Sequence, residues 1–258
     1  MSGYVTSIPQ TQVVAAVQFC PTPLDVRTNL AVALQLTFEA AGKGAKLIVL
    51  PELCTGGAIV SNVNEAREVC QEADGYQTAA FLPIARQFGC NIVFGYVEMT
   101  EGNFYNSAAV VGPTGLVANV QKHNLYGNDN LVFQPSEQQH PVVITPAGRL
   151  GVLICRDVCN KYRESYTFYQ PGQKFYNRGD VDTVALLTNW GSAFGYPDSA
   201  WVELTEELRC NVIVSNRVGK ERDMRYKGGS TVIDKNRRIY TFGSSFTEAA
   251  VVGGVVVL

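Results

Sequence analysis

Short apolar runs bounded by turn-forming residues recur along the chain and are typical of buried β-strands. Glycine, proline and asparagine separate most of these runs, so each run predicts one strand rather than part of a longer helix. The predicted strands are residues 13–19, 46–50, 91–98, 106–111, 116–121, 142–145, 150–154, 182–188, 212–215, 230–234, 238–242 and 250–258.

Four other segments carry apolar residues at the three- and four-residue spacing of an amphipathic helix. In the first, residues 29–41, Leu30 and Ala33 lie on one apolar face and Gly42 ends the helix. The remaining predicted helices are residues 65–71, 76–88 and 199–209. By contrast, residues 123–136 are polar and are predicted to form a loop.

The order of these elements predicts the fold class. Helices connect the early strands, which favours parallel pairing, whereas the turns at 113–115, 146–148 and 235–237 favour antiparallel hairpins. A chain with both kinds of connection forms mixed sheets that bury one face against each other. We therefore predict an α/β protein, a single domain over residues 1–258, with two mixed β-sheets face to face and helices outside.

Composition narrows the range of functions. With 46% hydrophobic residues and 17% charged ones, 258 residues can bury a sizeable core. The formal net charge of −2 indicates neither a nucleic-acid partner nor an anionic membrane surface. No apolar run approaches the roughly 20 residues that cross a bilayer, and residues 1–12 lack a signal-peptide pattern. We expect a soluble, cytoplasmic protein with no membrane or nucleic-acid partner.

Cysteine and histidine usage argues against a metal centre. The seven cysteines lie mostly in apolar segments, as reduced thiols of cytosolic proteins do. Cys155 and Cys159 are four positions apart, but no second cysteine pair accompanies them, so we predict no metal site. The only histidines are His123 and His140, and a histidine-based catalytic triad would need one of them.

Three predicted strands, the second, fifth and seventh, each run into a chemically reactive side chain: Glu52, Lys122 and Cys155. Taken singly, each has an ordinary explanation, namely a solvated loop carboxylate, a surface lysine and a buried thiol. In layered α/β proteins, however, reactive side chains gather where strands end. Their convergence would supply a base, a cation and a nucleophile.

Such a set is suited to attack on a carbon that bears nitrogen. A thiol titrates near about 8.5 in water and needs a neighbour that accepts its proton, a role open to Glu52. The same carboxyl group would return the proton to the departing amine. Lys122 and the backbone N–H of Arg156 would stabilise the oxyanion, and water would hydrolyse the thioester.

Eight blocks of this sequence, in order and over nearly the whole chain, resemble the carbon-nitrogen hydrolases of the nitrilase superfamily. The order of the blocks carries the resemblance more than any single pattern. They are AAVQ at 15–18, LPE at 50–52, Gly95 with YNSA at 105–108, GPTG at 112–115, KHNL at 122–125, GVLICRD at 151–157, NW at 189–190 and NVIVSNRVG at 211–219.

The resemblance implies a four-layer αββα sandwich, no cofactor and a homo-oligomer, dimer or higher, formed through the helical layers. It implies that Glu52 is the general base, Lys122 the stabilising cation and Cys155 the nucleophile. It also implies a second glutamate in the loop after the lysine, where this sequence has Asp129 between two asparagines. Asp129 is one methylene shorter, so it either reaches through a shift of the loop or leaves the role vacant.

Candidate substrate-binding residues flank these positions. Arg156, and Arg163 in the long segment after the cysteine, are cations that could meet a substrate carboxylate, or be neutralised by Asp157, Glu164 or solvent. Tyr126, Asn189 and Trp190 are further candidates for the pocket wall. The aromatic residues of 161–179 are at helical spacing and are more typical of core or subunit contacts than of a substrate cage.

The leading hypothesis is an amidase that converts a small carboxamide into an acid and ammonia. A nitrile or an N-carbamoyl compound fits the same three residues, because each route passes through a cysteine-bound intermediate. A catalytically weakened binding or assembly protein on the same scaffold is the alternative from another class, and the unusual loop at 128–130 favours it. Acyl transfer to an amine would need an acceptor site that the sequence does not locate.

Overall fold

The computed structural model describes residues 11–158, 175–191, 199–241 and 249–257. The strands of this part are β1 (Thr11–Gln18), β2 (Leu47–Val49), β3 (Asn91–Thr100), β4 (Asn103–Gly112), β5 (Gly115–Gln121), β6 (Val143–Thr145), β7 (Gly148–Ile154), β8 (Thr183–Thr188), β9 (Asn211–Asn216), β10 (Val218–Glu221), β11 (Met224–Lys227), β12 (Thr231–Ile233), β13 (Ile239–Thr241) and β14 (Ala250–Val257). Its helices are α1 (Val26–Gly42), α2 (Val63–Val69), α3 (Tyr76–Phe88), α4 (Asp129–Val132) and α5 (Ser199–Leu208).

Two six-stranded mixed sheets form the centre of the molecule. The first has the order β14-β1-β2-β3-β4-β5, with β1, β2 and β3 parallel and the other pairs antiparallel. The second has the order β13-β12-β9-β8-β7-β6, with β7, β8 and β9 parallel. Each sheet therefore has a parallel centre continued by antiparallel hairpins, as the connections predicted.

The two sheets pack face to face, and helices cover their outer faces. Val49 and Val93 of the first sheet pack with Val152 and Leu187 of the second in one buried apolar cluster. On the outer faces, Phe81 of α3 belongs to the cluster of the first sheet, as Trp201 of α5 does in the second. Burial of each such aliphatic or aromatic side chain contributes about 1.5 to 3 kcal/mol. The predicted four-layer αββα arrangement is confirmed.

Most predicted elements are present with ends displaced by a few residues. Helix α1 begins earlier than predicted, at Val26, because the Asp25 carboxylate accepts a hydrogen bond from the Thr28 N–H at 3.0 Å and caps the helix. Residues 123–136 were predicted to be a loop throughout, which is wrong at α4. The prediction also missed the ribbon of β10 and β11, whose four-residue strands are too charged to show an apolar run.

The aromatic segment 161–179 lies only partly within the described residues. Of the aromatic segment 161–179, residues 161–174, including Arg163, lie outside the described residues. Tyr176 is buried and its hydroxyl accepts a hydrogen bond from the Val152 N–H at 2.8 Å, which fits a core role. No helix among the described residues is long and apolar enough to cross a bilayer.

Candidate active site

Glu52 lies in the turn that follows β2 and is almost completely buried, with 3% of its side chain exposed. The alternative of a solvated loop residue is therefore wrong. The turn packs directly against Gly95 of β3, where a Cβ atom would lie 2.4 Å from the Leu53 nitrogen and 2.7 Å from the Glu52 Cα. Only glycine allows this approach, so Gly95 helps to fix the position of the carboxylate.

Lys122 follows β5 directly and is 2% exposed, so the alternative of a surface lysine is also wrong. Its Nζ atom lies 2.6 Å from Glu52 Oε1 and 2.6 Å from Asp129 Oδ2. A buried ammonium group requires such partners, because an unpaired charge in a protein interior is strongly unfavourable. Lys122 thus brings together two carboxylates that lie far apart in the sequence, Glu52 and Asp129. The three charged groups form one buried cluster.

Charges within this buried cluster change the pKa values of Lys122 and Glu52. Burial lowers the pKa of Lys122, but the negative charges of Asp129, Glu52 and Cys155 outweigh burial and hold it well above its ordinary value. Burial raises the pKa of Glu52, and the charge of Asp129 adds to that rise, while Lys122 and Asn106 oppose it. Lys122 therefore stays protonated at neutral pH, and Glu52 binds a proton more readily than an ordinary glutamate.

The two carboxylate oxygens of Glu52 are in different environments. Oε1 accepts hydrogen bonds from Lys122 Nζ at 2.6 Å and from Asn106 Nδ2 at 2.9 Å. Among the described residues, none hydrogen-bonds to Oε2. The carboxylate is therefore oriented through one oxygen while the other remains open to exchange a proton. In the sequence, Asn106 is marked only by its place in the YNSA block.

Asp129 reaches the cluster despite its shorter side chain. It is the first residue of α4, and its Oδ2 atom contacts Lys122 Nζ at 2.6 Å. The aspartate side chain is therefore long enough to pair with the lysine from this position at the start of the helix. Of the two outcomes that the sequence left open, the carboxylate reaches the lysine.

Cys155 is the first residue of a single 3₁₀ turn, Cys155–Val158, that follows β7. Its φ of 45° lies in the left-handed region, which is unfavourable for a residue with a Cβ atom and is common at functional sites. The Cys155 side chain is half-buried. It packs against the apolar cluster between the two sheets and against the apolar cluster on the outer face of the second sheet. The sulfur lies close enough to the ammonium group that a negative charge on it, in the thiolate form, raises the pKa of Lys122.

Asp157, two residues after the cysteine, joins the two halves of the site. Its Oδ1 atom accepts hydrogen bonds from the His123 N–H at 3.1 Å and the Asn124 N–H at 2.9 Å, directly after Lys122. Its Oδ2 atom accepts one from the Ile154 N–H at 3.2 Å, directly before Cys155. In the sequence, Asp157 is marked only as the last residue of the GVLICRD block and as a possible partner for arginine.

The predicted binding residues lie around this centre. The Arg156 guanidinium lies over the ring of Tyr126, 4.7 Å from its centroid, and forms no ion pair among the described residues. Asn189 and Trp190 follow β8, the neighbour of β7. The backbone N–H of Trp190 donates a hydrogen bond to Asn216 Oδ1 at 2.8 Å. Both polar atoms of the Asn189 amide are buried without a hydrogen-bond partner among the described residues.

A third aromatic residue, Tyr226, lies near the site although nothing in the sequence marked it. Its strand, β11, forms a bridge to Gly191, directly after Trp190. Burial is the main cause of its raised pKa, and the negative charges of Glu52 and Cys155 are among the smaller contributions. Its ring lies under the Arg217 guanidinium, 4.5 Å from the centroid.

Arg217 belongs to a buried ion pair behind Tyr226. It pairs with Glu221, and neither side chain is exposed. The Glu221 carboxylate also accepts hydrogen bonds from the Ala58 N–H at 2.9 Å and the Ile59 N–H at 2.8 Å, in the segment that follows the Glu52 turn. The pair therefore attaches this segment to the ribbon of β10 and β11.

The chain is similar to known proteins both in sequence and in fold. The chain matches the family model described as carbon-nitrogen hydrolase over residues 13–255. It is 29% identical to a nitrilase from Pyrococcus abyssi, over 91% of this chain and 86% of that protein. It is 26% identical to an (R)-stereoselective amidase from Pseudomonas sp., over 83% of this chain and 74% of that protein. In fold it is similar to a CN-hydrolase superfamily protein from Xanthomonas campestris, with a TM-score of 0.79, 22% identity and coverage of 95% and 90%.

Proposed function

Because this chain belongs to the carbon-nitrogen hydrolase family, we propose that it hydrolyses a small carboxamide to a carboxylic acid and ammonia, with Cys155 as the nucleophile. The observation that carries the proposal is the contact of Lys122 Nζ with Glu52 and Asp129, at 2.6 Å each, beside the half-buried thiol. A buried acid, ammonium and thiol from three strand ends are the groups that acyl transfer requires.

In the first half-reaction, the Cys155 sulfur attacks the amide carbon and its proton passes to Glu52 Oε2. The carbonyl oxygen becomes an oxyanion, which Lys122 Nζ and the Arg156 N–H stabilise. One well-placed donor of this kind contributes about 10²- to 10³-fold in kcat. When the C–N bond breaks, Glu52 returns the proton to the nitrogen, ammonia leaves, and a thioester to Cys155 remains.

In the second half-reaction, water attacks the thioester carbon and gives a proton to Glu52. The C–S bond then breaks, the sulfur regains a proton, and the acid leaves. The raised pKa of Glu52 suits both directions of proton transfer, because a base with a pKa closer to neutral also serves as an acid. Asp129 acts as the second carboxylate of the site by pairing with the Lys122 ammonium group together with Glu52.

The chemistry near the cysteine favours an amide substrate. The Asn189 amide offers an acceptor and donors without partners among the described residues, and an amide substrate carries both an N–H and a C=O group. Arg156, Tyr126 and Trp190 complete the proposed binding wall, with Arg156 available for a substrate carboxylate. The similarity to a nitrilase makes nitrile hydrolysis the second candidate.

The proposal is tested by incubating the protein with propionamide, propionitrile and N-carbamoylglycine while ammonia release and intact mass are followed. We expect ammonia from propionamide, a propionyl adduct on Cys155 trapped at short times, and neither in Cys155→Ala. The matched control is Cys70→Ala, a half-buried cysteine at the end of α2, which should retain activity. Ammonia from the nitrile alone would identify a nitrilase. Absence of any adduct or ammonia would favour a binding protein.

A further inference from the structure

The Asp157 carboxylate is a buried charge with an unusual set of partners. It is 3% exposed, and it accepts three backbone hydrogen bonds but forms no ion pair among the described residues. Burial raises its pKa, while the Asn124 N–H and the more distant charges of Lys122 and His123 oppose the rise. Burying a carboxylate is unfavourable unless hydrogen bonds compensate, and three backbone N–H groups supply them here.

The three donors lie immediately beside two proposed catalytic residues. His123 and Asn124 follow Lys122, which ends a strand of the first sheet, while Ile154 precedes Cys155, which ends a strand of the second. Both segments therefore attach to one rigid three-atom group. A shift of one segment relative to the other would break at least one of the three bonds.

The carboxylate also lies inside the turn that holds Cys155 in its left-handed conformation. The Ile154 N–H and Asp157 Oδ2 close this turn at 3.2 Å across the cysteine. A non-glycine residue in the left-handed region costs about 1 to 2 kcal/mol and persists only when its surroundings enforce it. The hydrogen bond from the Ile154 N–H to the Asp157 carboxylate is one such contact across the cysteine.

We propose that Asp157 is a positioning residue that sets the separation of the Lys122 ammonium group from the Cys155 sulfur. The proposal rests on the function proposed above only in the roles of these two residues. It does not concern substrate or proton transfer, because the carboxylate is occupied by backbone N–H groups. Its consequence is that the reactivity of the thiol depends on a side chain that acts only through the backbone of its neighbours.

A second carboxylate, at the other end of β7, provides the control. Asp182, which precedes β8, accepts hydrogen bonds from Arg149 N at 2.9 Å, Nε at 3.0 Å and Nη2 at 2.8 Å at the beginning of β7. It therefore also has three donors, but it connects β7 to β8 within the second sheet, at the end of β7 away from Cys155. All three of these donors belong to Arg149, so replacing Asp182 does not act on the segments beside Lys122 or Cys155.

The test compares Asp157→Asn with Asp182→Asn. The rate of Cys155 alkylation by iodoacetamide is measured across pH by peptide mass spectrometry, and kcat and KM are measured with propionamide. An asparagine side chain has one acceptor oxygen, and its NH₂ group is a donor. It therefore does not replace both Asp157 oxygens as acceptors for the three backbone N–H groups. We expect Asp157→Asn to slow alkylation at neutral pH at least tenfold, to move the alkylation curve to higher pH, and to lower kcat about 100-fold with little change in KM, as misplacement of a catalytic group does.

Asp182→Asn should lower the melting temperature and leave the alkylation curve and kcat unchanged. The proposal is overturned if Asp157→Asn alkylates like the wild type, or if both variants lose reactivity equally. Should Asp157→Asn not fold, Asp157→Glu, which retains the charge but displaces it by one methylene group, must show the same shift in alkylation. Because alkylation needs no substrate, a shifted curve in a protein that hydrolyses no amide would uphold the positioning role and reject the proposed function.

Discussion

Asp129 illustrates how the site depends on single side chains. The family resemblance calls for a glutamate near this position, yet the aspartate carboxylate contacts Lys122 Nζ at 2.6 Å. The short helix α4 makes this possible, and no apolar periodicity in the polar segment 123–136 predicted it. At the scale of the residue, the shorter carboxylate thus still reaches the lysine from the start of α4.

The charge of Asp129 should be visible in the pH dependence of the reaction. It raises the pKa of both Glu52 and Lys122, so Asp129→Asn should lower both values. The active form needs an ionised Glu52 and a protonated Lys122. We therefore expect the acid limb and the alkaline limb of the kcat/KM profile both to move to lower pH, with about a 10- to 100-fold loss at the optimum. The exposed Asp74→Asn is the control, and an upward shift of either limb would contradict the expectation.

Asn189 carries a prediction about the type of substrate. Replacement of Asn189 by alanine removes hydrogen bonds worth about 1 to 3 kcal/mol, or about 5- to 150-fold, if its amide pairs with the substrate. We expect kcat/KM for propionamide to fall within that range and kcat/KM for propionitrile, which has no N–H group, to fall less. Asn103→Ala, at an exposed asparagine that begins β4, should change neither. An unchanged ratio between the two substrates would exclude this role.

The sequence allowed some of the candidate site to be predicted and not the rest. Glu52, Lys122 and Cys155 each follow an apolar run, so a local pattern marks them. Asp157 and Asn106 act through partners 33 and 54 positions away, and no local pattern contains that information. Side chains that position others are therefore the least accessible to reading from sequence.

At the scale of the element, the turn after β2 depends on its contact with β3. In Gly95→Ala, the added methyl group would meet the backbone of Glu52 and Leu53 at less than 3 Å. We expect the turn to move, with a loss of about 1 to 3 kcal/mol of stability from overpacking and a loss of kcat larger than the loss of stability explains. Urea unfolding and propionamide kinetics measure the two effects.

The control for this variant is Gly253→Ala in β14 of the same sheet, where an added Cβ meets no atom within 4 Å. It should leave kcat unchanged. If Gly95→Ala folds with full activity, the close approach of β3 to the turn does not position Glu52.

Elements differed in how well the sequence predicted them. The long strands and α3 carry clear apolar patterns and were predicted closely. The ribbon of β10 and β11 was missed because it is held by tertiary contacts, including the buried Arg217–Glu221 pair, rather than by an apolar face. Short elements stabilised from outside have no period long enough to detect.

At the scale of the whole molecule, the candidate site lies across the junction of the two sheets. Glu52 and Lys122 extend from the first sheet and Cys155 from the second. Besides Asp157, His140 spans this junction, with Nδ1 2.9 Å from the Val152 oxygen of β7 and Nε2 3.3 Å from the Gln121 oxygen of β5. The sequence predicted that these side chains converge, but the polar contacts that hold the sheets in register become visible only in three dimensions.

The division of the reactive groups between two sheets restricts how the interior can diverge. Cores generally tolerate swaps of one aliphatic residue for another when the total volume is kept, with small effects on folding. Here, an aliphatic substitution at the interface between the sheets that shifts one sheet by a fraction of an ångström would keep the fold. It would still separate the sulfur from the ammonium group. Selection for turnover would therefore preserve the shapes of Val49, Val152 and Leu187 more strictly than selection for folding alone.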